Sequence, residues 1–276
     1  MKRTIHVAAL GMALGLLSGS TFALAATALN TARIEQLTGT KGAMDEKEGV
    51  FRVALPRTDL KVTVAGARVT PAMGLTCWAA FERVGDHTVV MGDQVLSQEQ
   101  VNPVMDIALQ NGLEVTALHN HFLWDAPKVM FMHIGGMGDE EKLAAAVGKV
   151  FAKIKETSGG SGDPPMAEID PAKTSLDPAK LERILGLKGQ YSAGVFKVTV
   201  GRTTEMAGHA MGNAMGVNTW AAFAGSDDRA VVDGDFAMYE GEVQGVLRAL
   251  RGAGIDIVAI HNHMIQETPR VVFLHF

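Results

Sequence analysis

Two stretches decide the fold: residues 114–133, EVTALHNHFLWDAPKVMFMH, and residues 256–275, DIVAIHNHMIQETPRVVFLH. Each begins as a run rich in Val, Ile, Leu and Ala and passes through His-Asn-His. Each then breaks at a segment holding an acid and a proline, and resumes as an apolar run ending in histidine. Two β-forming runs around such a break read as a β-hairpin. Pro127 can open the return strand but cannot sit inside a paired central one.

The match between the two stretches extends over most of the chain. Ile34-Glu35-Gln36-Leu37 corresponds to Leu181-Glu182-Arg183-Ile184, and Gly49-Val50-Phe51 to Gly194-Val195-Phe196. Arg57-Thr58 corresponds to Arg202-Thr203, Trp78-Ala79-Ala80-Phe81 to Trp220-Ala221-Ala222-Phe223, and Gly92-Asp93 to Gly234-Asp235. One unit is therefore written twice, the signature of a repeat architecture. Within each copy a short helix precedes three strands. A longer helix follows at 97–110 or 240–251, with Gly112 or Gly254 just past its end, and then the hairpin. Residues 138–155 add an amphipathic helix to the first copy alone, acidic in its first turn and lysine-rich at its end as the helix dipole favours. The expected organisation is a leader at 1–25, a first copy at 26–155, a Gly/Ser/Pro-rich linker at 156–177 and a second copy at 178–276. The fold class is α+β: two tandem homologous repeats, each a mixed or antiparallel sheet with one main helix. The two sheets either pack about a pseudo-two-fold axis or join into one.

The leader has its own grammar. Lys2 and Arg3 precede an apolar run at 7–17, and Ala23-Leu24-Ala25 supplies a small-x-small cleavage pattern. This reads as a secretory signal peptide, cut near Ala25, rather than a membrane anchor, which needs roughly 20 apolar residues. A periplasmic or secreted protein that is not embedded in a membrane is expected. Removing Lys2 and Arg3 takes the formal charge from −5 to −7. With a pI near 6.0 the chain has no basic footprint for nucleic acid. Its 47% hydrophobic content excludes a disordered chain, and a single cysteine excludes a disulfide scaffold or a multi-cysteine zinc site. Cys77 sits in an apolar run and reads as a buried, inert thiol. Oligomeric state is left open.

Six of the eight histidines beyond the leader fall into two matched triplets: His119, His121 and His133, and His261, His263 and His275. Alternation puts His119 and His121 on one face of their strand. In a bulge-free hairpin, directly opposed residues have numbers summing to a constant. An even constant puts His133 on that same face, and an odd one puts it opposite; the same holds for His275. If even, three imidazoles converge, a donor set that holds zinc with a fourth position open. The alternative is structural histidines bonded to backbone carbonyls. Asp125 and Glu267, at equivalent turn positions, are candidates to orient a ligand or serve as general base, or else are ordinary turn residues. Asp93 and Asp235 read as turn or capping residues. Arg57 and Arg202 read as anchors for an anionic substrate or as solvent-facing strand ends. Met130 and Met132 beside His133 suit copper, but Val272 and Leu274 replace them in the second copy, so zinc is favoured over copper.

The Gly-x-Lys-Gly opening, Gly49-Val50-Phe51 with Arg57, residues 92–104 and Thr116-Ala117-Leu118-His119-Asn120-His121 resemble the LppY/LpqO family of bacterial exported proteins. The resemblance covers nearly the whole chain after the leader. It implies export and duplication but no reaction, and the lipid-acceptor cysteine of the founding lipoproteins is missing here. Where the first copy has Asn102-Pro103 the second has Gln244-Gly245, which assigns any role of that pair to the first copy. A local resemblance links the hairpins to zinc proteins of the acetolactate decarboxylase type, which also follow His-x-His with a third histidine about a dozen residues on. Those proteins carry a glycine pair before the last histidine, where this chain has Phe131-Met132 and Phe273-Leu274. The leading expectation is an exported protein binding a divalent metal through both triplets, with a metal-dependent hydrolase or lyase acting on a small anionic molecule as its catalytic form. The alternative is a non-catalytic envelope protein that binds a partner or handles metal.

Overall fold

The computed structural model describes residues 28–159 and 166–276. The leader, with its expected cleavage at Ala25, and part of the Gly/Ser/Pro-rich stretch lie outside the described residues.

The two copies build one sheet of twelve strands. Numbering the strands of this sheet only, the first copy supplies β1 (Gly42–Asp45), β2 (Val50–Pro56), β3 (Thr76–Val84), β4 (His87–Ser97), β5 (Glu114–Asn120) and β6 (Val129–Gly138). The second supplies β7 (Gly189–Ser192), β8 (Val195–Gly201), β9 (Asn218–Gly225), β10 (Ala230–Tyr239), β11 (Ala259–His261) and β12 (Val271–His275). The order across the sheet is β1-β2-β3-β4-β6-β5-β11-β12-β10-β9-β8-β7, so each strand and its counterpart stand equally far from the centre. Every ladder is antiparallel, as short hairpin connections require. Of the two arrangements the sequence allowed, the sheets join.

Alternation along the strands separates two faces. In β3, Cys77, Ala79 and Phe81 are buried while Trp78 and Ala80 point the other way. The buried face packs against α2 (Gln98–Gln110), α3 (Glu140–Glu156) and α5 (Val243–Gly252) through residues such as Val104, Met105, Val147, Phe151 and Leu247. Two short helices, α1 (Thr31–Thr38) and α4 (Pro178–Leu185), open the two copies. Ser97 and Gln100 form a capping box at the start of α2, and Asp139 caps α3, whose last turn carries Lys153 and Lys155. In the second copy Glu240–Glu242 forms a 3-10 turn before α5, so the helix expected from 240 begins later.

The junction between copies is narrow. Only Ile260 and Leu118 pair across β11 and β5 by backbone register. On either side of that pair, side-chain amides take over the ladder. Gln244 Oε1 accepts from the Val115 N–H at 3.1 Å while its Nε2 donates to the Val115 carbonyl at 2.9 Å. Asn102 Oδ1 accepts from the Ile257 N–H at 2.9 Å, and its Nδ2 reaches the Ile257 carbonyl at 3.5 Å. Asn102 and Gln244 are equivalent positions, as are Val115 and Ile257, so the role is reciprocal and does not belong to the first copy alone.

Candidate metal centre

The hairpin parity is even. Ala117 opposes His133 and His119 opposes Phe131 across β5 and β6. The one register irregularity falls between Val115 and Ala117, outside the histidine segment. His133 therefore shares a face with His119, and His121 joins them by stacking on Phe131 with ring centroids 4.4 Å apart. In the second copy Ala259 opposes His275 and His261 opposes Phe273, while His263 stacks on Phe273. The Ile260–Leu118 register sets Ala259 across from His119 and Ala117 across from His261. All six imidazoles thus lie on the sheet face away from α2, α3 and α5.

A carboxylate reaches each triplet from the neighbouring strand. Asp93 in β4 opposes His133, and Asp235 in β10 opposes His275. These aspartates are neither turn nor capping residues: both lie inside strands, and Ser97 caps α2. The glycine before each belongs to the strand as well. A Cβ on Gly92 or Gly234 would strike the carbonyl of Trp78 or Trp220, so the residue is small to let two strands approach. The strand runs through Gly92 and Asp93 despite their poor β propensity, and the one sequence signal was an acid kept at the same place in both copies.

Burial raises the Asp93 carboxyl above its ordinary range, against the opposing pull of His133, His119 and His121. Asp235 is raised in the same way, against His275, His263 and His261. Oδ1 of both aspartates and Nε2 of His261 are buried without a hydrogen-bond partner among the described residues. Such atoms are costly unless a ligand satisfies them. Asp235, His261 and His275 each offer a ligand atom, all within 4.8 Å of one another. His263 Nε2 lies 3.7 Å from Asp235 Oδ2, and burial lowers its pKa. In the first copy His119 Nε2 and His133 Nε2 face each other at 3.0 Å, and His119 Nδ1 contacts the Asn120 carbonyl at 2.9 Å. The Nδ1 proton donated to that carbonyl leaves Nε2 as a lone-pair donor. Two imidazole nitrogens on one tetrahedral zinc stand about 3.3 Å apart, close to this spacing.

The other candidates divide. Asp125 Oδ2 accepts from the Val129 N–H at 2.8 Å and Glu267 Oε1 from the Val271 N–H at 3.1 Å, so each closes its own hairpin turn. The second oxygen of Glu267 is buried and unpartnered. Arg57 is buried and bonded to the Val95 carbonyl, Gln100 and Asp59, which removes it from any substrate. Arg202 pairs with Glu242 and lies over the Tyr239 ring. Met130 and Met132 alternate with His133 and point into the helix-packed core. Cys77 is buried, accepts from the Val95 N–H, and has its thiol pushed up to about 11 by burial.

A family model described as Domain of Unknown Function (DUF1259) matches residues 32–153 and 179–276. No curated protein and no solved structure matches the chain. Among the described residues no helix is long and apolar enough to cross a membrane.

Proposed function

Since the chain belongs to the DUF1259 family of domains of unknown function, its site must carry the functional reading, and we propose that it binds a divalent metal, with zinc the best fit. The observation that carries this is the second-copy cluster, where Asp235, His261 and His275 bring ligand atoms within 4.8 Å and Asp235 Oδ1 and His261 Nε2 are buried and unpartnered; in the first copy Asp93 Oδ1 is orphaned at the equivalent place. His119, His121 and His133 with Asp93 would hold one ion, and His261, His263 and His275 with Asp235 the other. Copper is the poorer fit, because the neighbouring methionines face the core. The palindromic strand order supports a pseudo-two-fold axis through the β5–β11 junction, giving two centres rather than one shared site.

A zinc ion held by imidazoles and carboxylate supplies Lewis acidity toward water or a carbonyl, which suits a hydrolase or lyase acting on a small molecule. Within that reading Asp125 and Glu267 assist, Glu267 through its free buried oxygen. Lys2, Arg3 and Ala23-Leu24-Ala25 support export by the same proposal.

Metal analysis of the purified chain tests it, beside variants lacking His119 and His121, or His261 and His275. Bound zinc that falls by half in each double variant is expected. A metal-free chain whose melting temperature zinc does not move would leave the histidines structural.

A further inference from the structure

Two cavities flank the β5–β11 junction and are built alike. One of about 390 Å³ lies beside His261; another of about 570 Å³ touches His119 and, from across the junction, His261 as well. Of the thirteen residues lining the second, eleven have their counterpart 142 positions away in the first. Each cavity takes a histidine, an asparagine and a cation (Lys128 or Arg270) from one copy. Its far wall comes from residues leading into or along the other copy's central strand, with Asp256 or Glu114 among them. Neither cavity exists without both copies.

The two differ at the hairpin acid. Glu267 lines the cavity beside His261, is 7% exposed, and keeps Oε2 without a partner because Oε1 already holds the Val271 N–H. Asp125, one methylene shorter, does not line the other cavity. Arg270 is exposed and forms no ion pair among the described residues, and Nε2 of His261 is buried and unbonded. In the other cavity Asp256 is already paired with Arg251 at 2.8 Å.

Those groups specify a ligand. A free guanidinium takes a carboxylate, preferably by two parallel bonds. A buried carboxylate oxygen without a partner takes a hydrogen-bond donor. Glu114 and Glu240 also border the cavity, so a plain anion meets an excess of negative charge and a ligand bringing its own donor does not. We propose that the cavity beside His261 binds a small carboxylate carrying an adjacent hydroxyl or ammonium donor, an α-hydroxy or α-amino acid, and that the cavity beside His119 does not. Of the proposed metal cluster only His261 borders the cavity, so the contacts to Arg270 and Glu267 stand without the metal reading.

Calorimetric titration of the full chain, zinc-loaded and zinc-free, with 3-phenyllactate, phenylalanine and 3-phenylpropionate tests this, because the three share one apolar body. One site per chain is expected, with phenyllactate or phenylalanine bound at least about tenfold more tightly than phenylpropionate. Preference for the first identifies the hydroxyl donor, and for the second the ammonium. Arg270→Met weakens binding at least about tenfold, Glu267→Gln removes the preference over phenylpropionate, and Lys128→Met changes neither. Circular dichroism and zinc content of each variant separate misfolding from lost contacts. Normal zinc content without a preference over phenylpropionate, or equal loss in Lys128→Met and Arg270→Met, overturns the proposal and leaves the metal reading intact. Absent zinc with the preference retained does the reverse.

Discussion

Asp93 stands directly across the β4–β6 ladder from His133, and Asp235 repeats the relationship with His275. A carboxylate placed inside a strand, buried and short of a partner, works against the stability of the metal-free fold. Asp235→Asn is therefore expected to raise the melting temperature of the zinc-free chain while weakening zinc binding at least about tenfold. Scanning calorimetry and competitive zinc titration read the two effects. Parallel losses in both would contradict a ligand role.

The pH dependence follows from the same groups. Burial holds Asp93 and Asp235 above their ordinary 3.8, so their contribution to the metal-free fold is fully present below that value and is lost as pH rises through the raised one. His263 is held below 6.5 by burial, so its contribution is present above 6.5 and is lost as pH falls through the lowered value. Zinc needs ionised carboxylates and neutral imidazoles, so the melting-temperature gain from zinc should grow between about pH 5 and pH 7.5. A gain independent of pH in thermal melts would count against histidine and aspartate ligands.

The amide clamps at the junction give a stability prediction. Gln244→Leu leaves both polar groups of the Val115 peptide without their partners, and Asn102→Leu does the same at Ile257. Each should cost about 1–3 kcal/mol in urea unfolding, with the double variant losing more than either. A cost below about 0.5 kcal/mol would mean that water replaces the amides freely.

Arg57 and Arg202 are equivalent in sequence and opposite in consequence. Arg57 is 2% exposed and bonded on several sides, whereas Arg202 is half-buried beside Glu242. Removing the first should cost about 3–5 kcal/mol, because the Val95 carbonyl loses its guanidinium donor, Asp59 loses its ion pair, and buried Gln100 Oε1 keeps only the Ser97 N–H. Removing the second should cost less than about 1 kcal/mol. Urea unfolding of Arg57→Met and Arg202→Met compares them, and equal costs would refute the distinction.

How much was legible in the sequence depended on the range of the interaction. The duplication, the hairpins and the conditional convergence of the histidines follow from local spacing, since strand alternation has a fixed period. What local spacing lacked was the partner strand. Asp93 faces His133 only because β4 pairs with β6, a contact across 40 residues that no motif encodes. Gly92 misled for the same reason: glycine before aspartate suggests a turn, but here it makes room for the Trp78 carbonyl of the adjacent strand. The clamp role of Gln244 was hidden because an amide one methylene longer does the work of Asn102 at a peptide contributed by the other copy.

Zinc K-edge X-ray absorption on the zinc-loaded chain reads the ligand shell itself. Imidazole nitrogens at about 2.0–2.1 Å with carboxylate oxygen in the same shell are expected, as is loss of the oxygen contribution when Asp93 and Asp235 are both changed to alanine. A shell without imidazole scattering, or one that the double aspartate variant leaves unchanged, would contradict a histidine and aspartate centre.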